Sequence, residues 1–580
     1  MLVVALACLW ALGWSSWSRA QSASYALEIE GAGDLTPLLE KHLLIATRRD
    51  ELAKQPQRLR TLIDRTAEEA QSILAAEGYF DAKVRASTEG EPIGKIVLRV
   101  ELGEAVTVRT VDIQFRGVIG DADSAHAPSI ESAKAAWHLN VGDRFRQAEW
   151  DAAKSSILRE LLAGTFPTAH MHRSQATIDA DARAADLQVE IDSGPAFRFG
   201  DLEVTGLNRY PESVVRNLNT IRIGQPFSQR ALAELQTRLY TVPYFSTVTV
   251  SVEPQSAADP AALPIRIAIE EASRFKVDLG AGYSTNTGLR MQAGFTDVNL
   301  FDRAWRWKST VRLDEREQRV ETGLVLPVRD DGWQDDFGTN ITRTDISSFV
   351  VESYNITYKH AKTEGRIERA FTGLAIMSRE IPEGGSVTFK KAFAPGFSWQ
   401  YRAFDDLLDP RRGYEIGGQI AGGSKSLYSD QNFLRMFGRT IGVITLADVH
   451  TFIVRAEGGI VLAPSRQDIP ATLLFRAGGD QSLRGYAYQS IGVTEGQATV
   501  GGRYLVIGGI EYIRWIEPKW GVAVFIEAGD AFDDPEAMKF KRGYGAGARW
   551  RSPVGPISFD IAYGEASRST RVHFSIGFVF

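Results

Sequence analysis

Residues 571–580 read RVHFSIGFVF. Successive side chains of a strand point to opposite sides, so Val572, Phe574, Ile576, Phe578 and Phe580 share one face. Arg571, His573, Ser575 and Gly577 fill the other. Upstream, PISFDIAYG repeats the pattern, with Ile557, Phe559, Ile561 and Tyr563 opposite Ser558, Asp560 and Gly564. At the far end of the same region, FKVDLGAGYS sets Phe275, Val277, Leu279, Ala281 and Tyr283 on one face. Runs near ten residues, apolar on one side and polar or glycine on the other, mark strands that cross a bilayer in a closed barrel. Only helices and closed barrels satisfy every backbone group in lipid. From Phe275 onward about 305 residues remain, and at about 19 per strand and connection they predict about sixteen strands. A soluble sandwich or propeller would also alternate, but it explains neither the strand length nor the export signal described next.

Residues 1–20, MLVVALACLWALGWSSWSRA, hold an apolar, uncharged run from Leu2 to Trp14. It is too short to span a bilayer, and small residues ending in Ser18-Arg19-Ala20 follow it. The segment reads as a secretory signal peptide cleaved after Ala20. Cys8, the only cysteine of the chain, would leave with it. A mature chain without thiols suits an oxidising compartment. No other stretch of about 18 residues stays apolar and uncharged.

The remaining arithmetic excludes more than it identifies. With 580 residues, 44% hydrophobic and 24% charged, the chain is neither disordered nor fibrous. A net charge of −6 leaves no basic excess for nucleic acid. One cysteine permits no disulfide framework. A mean hydropathy of −0.16 argues against a polytopic helical membrane protein but not against a barrel, whose alternating strands average out.

Between residues 25 and 271 one pattern occurs three times. Each block opens on a short alternating strand ending in glycine: ALEIEG (Ala26–Gly31), VRTVDIQFRG (Val108–Gly117) and FRFGDLEVTG (Phe197–Gly206). Helical spacing follows, with Leu59, Leu62, Ile63, Ala70, Ile73 and Leu74 in the first block and Gly78 as its stop. Trp150, Ile157, Leu158, Leu161 and Leu162 serve the second, and Leu232, Leu235, Leu239 and Tyr240 the third. Each helix runs into an aromatic turn (GYFDAKV, GTFPTAH, VPYFSTVTV) and then a closing alternating strand. Self-similarity at a fixed period means an array of like modules. Each sheet buries one face under its helices and leaves edge strands free to accept an extended peptide; a solenoid with no binding role fits the pattern as well.

This arrangement resembles POTRA domains, with the GYF-type turn and the VELGE linkage carrying the resemblance. It sets boundaries of 25–103, 106–193 and 196–271 for three POTRA modules, followed by an outer-membrane barrel over 274–580. The predicted fold class is therefore multidomain: three α+β modules and an all-β, sixteen-stranded transmembrane barrel.

Within the barrel region, GGDQSLRGYAYQS carries Arg484-Gly485-Tyr486 in a glycine-flanked stretch without alternation. Downstream lie AVFIEAGDAF and GYGAGARWRSPVGPISFDIAYG. Together these resemble the outer-membrane assembly superfamily that includes BamA, TamA and the two-partner secretion transporters. The resemblance implies that the Arg484 loop folds into the lumen to meet a carboxylate on a Phe-x-Asp-x-Gly strand, here Phe525, Glu527 and Gly529. Glutamate replaces the family's aspartate and changes the reach by one methylene. Strand parity alone puts Phe525, Glu527 and Gly529 on the face opposite Val522, Val524 and Ile526. A carboxylate there suits a bidentate arginine pair, while two separately solvated charges satisfy the same parity. The Asp409-Pro410-Arg411-Arg412-Gly413 turn, also similar to one in the family, reads as structural.

Three modules before a barrel resemble the TamA branch. That branch implies insertion and folding of autotransporters and other outer-membrane β-barrel clients through strand augmentation at a lateral gate. The gate residues would be Phe275, Val277 and Leu279 on the first strand and Gly577, Phe578 and Phe580 on the last. Implied partners are client outer-membrane proteins, the lipid bilayer and a TamB-like protein anchored in the inner membrane, without nucleic acid, metal or cofactor. The alternative is a two-partner-secretion-type polypeptide export pore. The location would be the bacterial outer membrane, with the modules in the periplasm. No nucleophile elbow, zinc-protease, P-loop or dinucleotide motif occurs, so no enzyme is expected. His170 and His172 form an H-x-H pair with no third ligand in sight.

Overall fold

The computed structural model describes residues 25–90, 93–120, 126–553 and 555–576. The expected signal peptide, and Gly577, Phe578 and Phe580 of the expected gate, lie outside the described residues. Two compact units make up the chain: one holds the first two modules with part of the third, and the other holds the rest of the third with the barrel.

Each module is a three-stranded sheet under helices. The first contains β1 (Ala26–Glu30), β2 (Lys83–Glu89) and β3 (Lys95–Glu101), the second β4 (Thr107–Arg116), β5 (His170–Asp179) and β6 (Ala184–Asp192). The third contains β7 (Phe199–Thr205), β8 (Phe245–Ser251) and β9 (Leu263–Glu271). In every sheet the closing strand sits in the centre, so the other two are edges. β3 runs parallel to β1 and antiparallel to β2, and β6 treats β4 and β5 likewise. The central strand carries the apolar alternation: Ile96, Leu98 and Val100 are buried against Leu59, Ile63, Ala70 and Leu74 of helix Pro56–Ala76.

Two residues expected on helix faces are exposed. Leu162 and Tyr240 each follow a buried leucine, Leu161 and Leu239, and one helical step of about 100° turns them outward. Leu62 and Ile73 are only half-buried, at the flanks of their face.

Modules one and two are clasped at Gly78. Its φ of +91° and its close approach to the Phe145 carbonyl leave no room for a Cβ. Its carbonyl accepts the Val106 N–H at 2.9 Å. Beside it Arg144 stacks 4.4 Å over Tyr79 and donates to the Glu77 carbonyl.

The barrel is a sixteen-stranded antiparallel meander. It begins with β10 (Phe275–Ser284), β11 (Gly288–Leu300), β12 (Trp305–Asp314), β13 (Glu317–Val325), β14 (Trp333–Ile346) and β15 (Phe349–Glu364). It continues with β16 (Ile367–Pro382), β17 (Thr388–Phe404), β18 (Arg412–Gly423), β19 (Phe433–Leu446) and β20 (His450–Leu462). After a long loop bearing the short hairpin β21 (Val493–Glu495) and β22 (Ala498–Val500), it resumes with β23 (Tyr504–Trp515) and β24 (Trp520–Phe532). β25 (Lys541–Ser552), β26 (Gly555–Gly564) and β27 (Ser569–Ile576) complete it. Along β24 the parity is plain: Val522, Val524 and Ile526 are about half exposed, whereas Phe525 and Glu527 are buried in the lumen.

Among the described residues no backbone pairing joins β27 to β10. β10 is exposed on both faces from Phe275 to Tyr283. Strand lengths also fall toward this seam. β15, β16 and β17 have 16, 16 and 17 residues, against 10 in β10 and 10 in β26.

Polar clamps tie the end of the third module to the barrel rim. Glu271 accepts from Arg209 Nε at 2.7 Å and from the backbone N–H groups of Asn208 and Arg209. Arg274, just ahead of β10, holds Asp297 with two bonds of 2.9 and 3.0 Å, and Tyr244 donates its hydroxyl to the Ala304 carbonyl. Burial pushes the Glu271 carboxyl up, but the Arg209 side chain and the two amides outweigh it and hold it below the usual carboxylate range. A depressed carboxylate stabilises above its unfolded pKa, and that stability goes as pH falls through the folded value. Protection factors of the amides near residues 264–274, taken against the slower intrinsic exchange in acid, are therefore expected to fall before those of the barrel strands, and Glu271→Gln should abolish that acid step.

Candidate functional site

The stretch that alternation did not predict, between β20 and β23, folds back into the lumen. Leu483, Arg484 and Tyr486 are all at most 4% exposed there. Gly485 has φ +89°, and a Cβ on it would come within 2.6 Å of the Gly564 nitrogen, so the residue must be glycine.

Arg484 meets three carboxylates. Its Nε donates to Glu527 Oε1 at 2.8 Å, and one terminal nitrogen donates to Glu511 at 2.8 Å and Asp560 at 2.9 Å. Its backbone N–H donates to Glu527 Oε2 at 2.7 Å, so both oxygens of that side chain are engaged. The guanidinium carbon lies 3.4 Å from the Phe525 ring centroid, a cation–π arrangement. Arg549 bridges Glu511 (2.7 Å) and Asp560 (2.6 Å), and Arg455 reaches Glu527 at 2.7 Å. Three cations thus balance three anions. That balance lets the charges sit buried, since a buried charge is tolerated only when paired and hydrogen-bonded.

Glycines make the room. On β25, a Cβ at Gly543 would overlap the Arg484 carbonyl, and one at Gly547 would overlap the Asp560 carboxylate. On β23, one at Gly509 would press on the Glu527 side chain. Gly529 packs against the Val506 carbonyl and Ile507 in the same way.

The loop touches every strand from β23 to β27. Glu511, Glu527, Arg549 and Asp560 stand on β23, β24, β25 and β26. Gly485 donates its N–H to His573 Nε2 on β27 at 3.0 Å, which requires the ring proton to sit on Nδ1. The Tyr486 hydroxyl donates to the Arg542 carbonyl and accepts the Ala566 N–H. The motif is thus a splint across the last five strands.

Beneath it lies a cavity of about 100 Å3, bordered by the β17–β18 turn. There Asp405 accepts the Arg411 and Arg412 amides and fixes the turn, while Asp409 pairs with Arg551 at 2.8 Å. Arg551 in turn stacks 3.6 Å over Trp515. With loop and turn both across the lumen, the purified barrel is expected to pass only small, rare currents in planar bilayers. Excising residues 478–491 should convert these into a large steady conductance.

Of the sequence-derived residues, the structure unites Arg484, Gly485, Tyr486, Phe525 and Glu527, while Gly529 lies apart from the loop against Val506 and Ile507 of β23. Phe275, Val277 and Leu279 lie apart, on the exposed outer face of β10. Glu511, Asp560, Arg549, Arg455 and His573 were not singled out. Their signal was a charged or imidazole side chain on the non-lipid parity of adjacent strands. His170 and His172 are both exposed, and a bulge at Met171–Arg173 breaks the alternation between them. Among the described residues no group of three metal-ligating side chains occurs.

Comparison with known proteins matches the Omp85 superfamily domain over residues 273–580. A POTRA domain, described as a surface antigen variable number repeat, is matched over residues 197–272. The outer membrane protein assembly factor BamA of Nitratidesulfovibrio vulgaris is 25% identical over 409 residues, covering 65% of this chain and 50% of that protein. BamA of Neisseria meningitidis serogroup B is 22% identical over 563 residues, covering 84% of this chain and 68% of that one. The chain therefore spans about half to two thirds of these relatives. The crystal structure of BamA from Haemophilus ducreyi lacking POTRA domains 1–3 superposes with a TM-score of 0.62 at 16% identity. It covers 82% of this chain and 100% of its own, and shows a common fold.

Proposed function

The chain belongs to the Omp85 superfamily, and from that premise we propose that it is an outer-membrane assembly factor that inserts and folds β-barrel clients. The observation that carries this reading is the edge of β10, which pairs with no strand among the described residues. A row of free N–H and C=O groups at membrane depth is costly, so it is a template for a strand that needs partners. An incoming strand adds to β10 by main-chain hydrogen bonds, as in β-augmentation generally. The shorter strands near the seam favour a thinned bilayer there, which eases entry. The splint of Arg484, Gly485 and Tyr486 keeps β23 to β27 together, so that motion is confined to the contact between β27 and β10. The edge strands of the three modules offer similar sites before the membrane is reached. No bond is made or broken in the client, and no catalytic group or cofactor is required.

The location in this reading is the outer membrane, with the modules in the periplasm, and the sixteen-stranded barrel supports it. The finer assignment, to the translocation and assembly module with autotransporters among the clients, is supported by three modules within this stretch. It entails a TamB-like inner-membrane-anchored partner, expected to co-purify from gently solubilised membranes. Purified protein in liposomes should raise the folded, heat-modifiable fraction of a urea-unfolded barrel client several-fold over protein-free liposomes. Equal rates would contradict the proposal.

A further inference from the structure

A second lumenal feature lies behind the seam, away from the loop cluster. It is a cavity of about 540 Å3 walled mainly by β10 to β14 and bordered also by Pro243 of the third module. Its charges are layered. Lys276 on β10 is opposite Thr296 on β11, which is opposite Lys308 on β12. The next row along the strands holds Asp278, Gly294, Thr310 and Glu321. Residues two apart on a strand point the same way, so both rows face the lumen, about 7 Å from each other. Arg306 stands two residues from Lys308, on the side away from the acids.

Among the described residues, none of Lys276, Lys308, Arg306, Asp278 and Glu321 forms an ion pair. Elsewhere lumenal charges are matched: Arg290 with Asp314, Arg402 and Arg439 with Glu415, Arg455 with Glu527. The remaining acid of the cavity, Asp336, is opposite Lys359 on β15. Thr310 is 6% exposed, and its hydroxyl has no hydrogen-bond partner among the described residues. Buried polar groups are ordinarily satisfied, so a polar ligand is the natural partner for this one. The layering suits a ligand with an anion at one end and a cation a short step away.

The outer face of the same strands sets the depth. Phe275, Phe295 and Trp307 form an aromatic run there, with ring centroids 5.9 and 5.8 Å apart. Each is the sequence neighbour of Lys276, Thr296 or Lys308. Aromatic girdles mark the membrane interfaces, and the start of β10 adjoins the third module, so the lysine row is level with phospholipid headgroups of the periplasmic leaflet. Sideways, β10 is the end strand of the sheet. We propose that the phosphoethanolamine headgroup of a phospholipid enters through the seam and lodges in this cavity. Lys276, Lys308 and Arg306 hold its phosphate, Asp278 and Glu321 its ammonium, and the Thr310 hydroxyl accepts one of the ammonium protons. The acyl chains stay in the bilayer outside the seam. This rests on the seam reading of the proposed function and adds to it a resting occupant that a client displaces.

The test uses the full chain in mixed micelles with phosphatidylethanolamine, phosphatidylglycerol or phosphatidylcholine of matched acyl chains, and counts retained lipid by native mass spectrometry. Phosphatidylethanolamine is expected to be retained roughly fivefold to tenfold more than the other two, the effect of one or two partly exposed charge-assisted bonds. Only its headgroup offers a phosphate together with an ammonium that donates hydrogen bonds. Asp278→Asn/Glu321→Gln should bring it down to the level of phosphatidylglycerol. Lys276→Gln/Lys308→Gln should lower retention of all three, with heat-modifiable migration showing that each variant is folded. A disulfide between β10 and β27, closed before lipid is added, should exclude the lipid. Equal retention of the three lipids by the unaltered protein would overturn the site. Free phosphoethanolamine competing as strongly as the lipid would make the ligand a soluble solute and overturn the lipid assignment. Lipid taken up behind a closed seam would overturn the entry route. Client folding with the same bond closed tests the seam itself, so the two failures are told apart.

Discussion

Arg484→Ala is expected to release the lumenal loop. The substitution leaves Glu511, Glu527 and Asp560 facing only Arg455 and Arg549, so two cations oppose three anions in a buried place. Breaking a buried ion pair by removing one partner costs about 3–5 kcal/mol. At 1.4 kcal/mol per factor of ten, the docked loop should become roughly 10² to 4 × 10³ times less populated relative to the free one. The stacking on Phe525 is lost as well. Limited proteolysis of the folded barrel reads this directly, because residues 478–491 are protected when docked. Arg484→Lys should rescue only partly: a point charge keeps the sign but cannot span three carboxylates or stack. Glu527→Asp should be milder still, since charge and one contact survive the loss of a methylene. Unchanged protection in Arg484→Ala would mean that packing of Leu483 and Tyr486 holds the loop by itself.

How much of this lay in the sequence follows from the range of each interaction. Alternation is local, so sixteen strands and the lumenal parity of Phe525 and Glu527 were legible. The repeated modules were legible for the same reason. The exposed Leu162 and Tyr240 were not, because residues adjacent in a helix differ by about 100° and periodicity read over five residues blurs that angle. The loop's partners were hidden for a different cause. Glu511, Asp560 and Arg549 are brought to Arg484 by strand register across β23 to β26, and register is set by neighbouring strands rather than by any one strand's pattern. The glycines of β25 gave a clue: GYGAG removes side chains from the lumenal face where a loop must lie.

The largest functional effect is expected at the seam. If clients enter between β10 and β27, joining those strands covalently removes the template while leaving the barrel intact. One cysteine scanned along residues 275–284 and one along 569–576 supply the bond where geometry permits, with Cα atoms about 5.5–6 Å apart. Replacing Cys8, the only native cysteine, makes the pair unambiguous. The loop splint and the module clamps are untouched by such a bond. The decisive measurement is therefore the rate of client folding by the cross-linked protein in liposomes, before and after a reductant. The gate account predicts the rate of protein-free liposomes while the bond is closed and full recovery on reduction. Undiminished folding with the bond closed would contradict it.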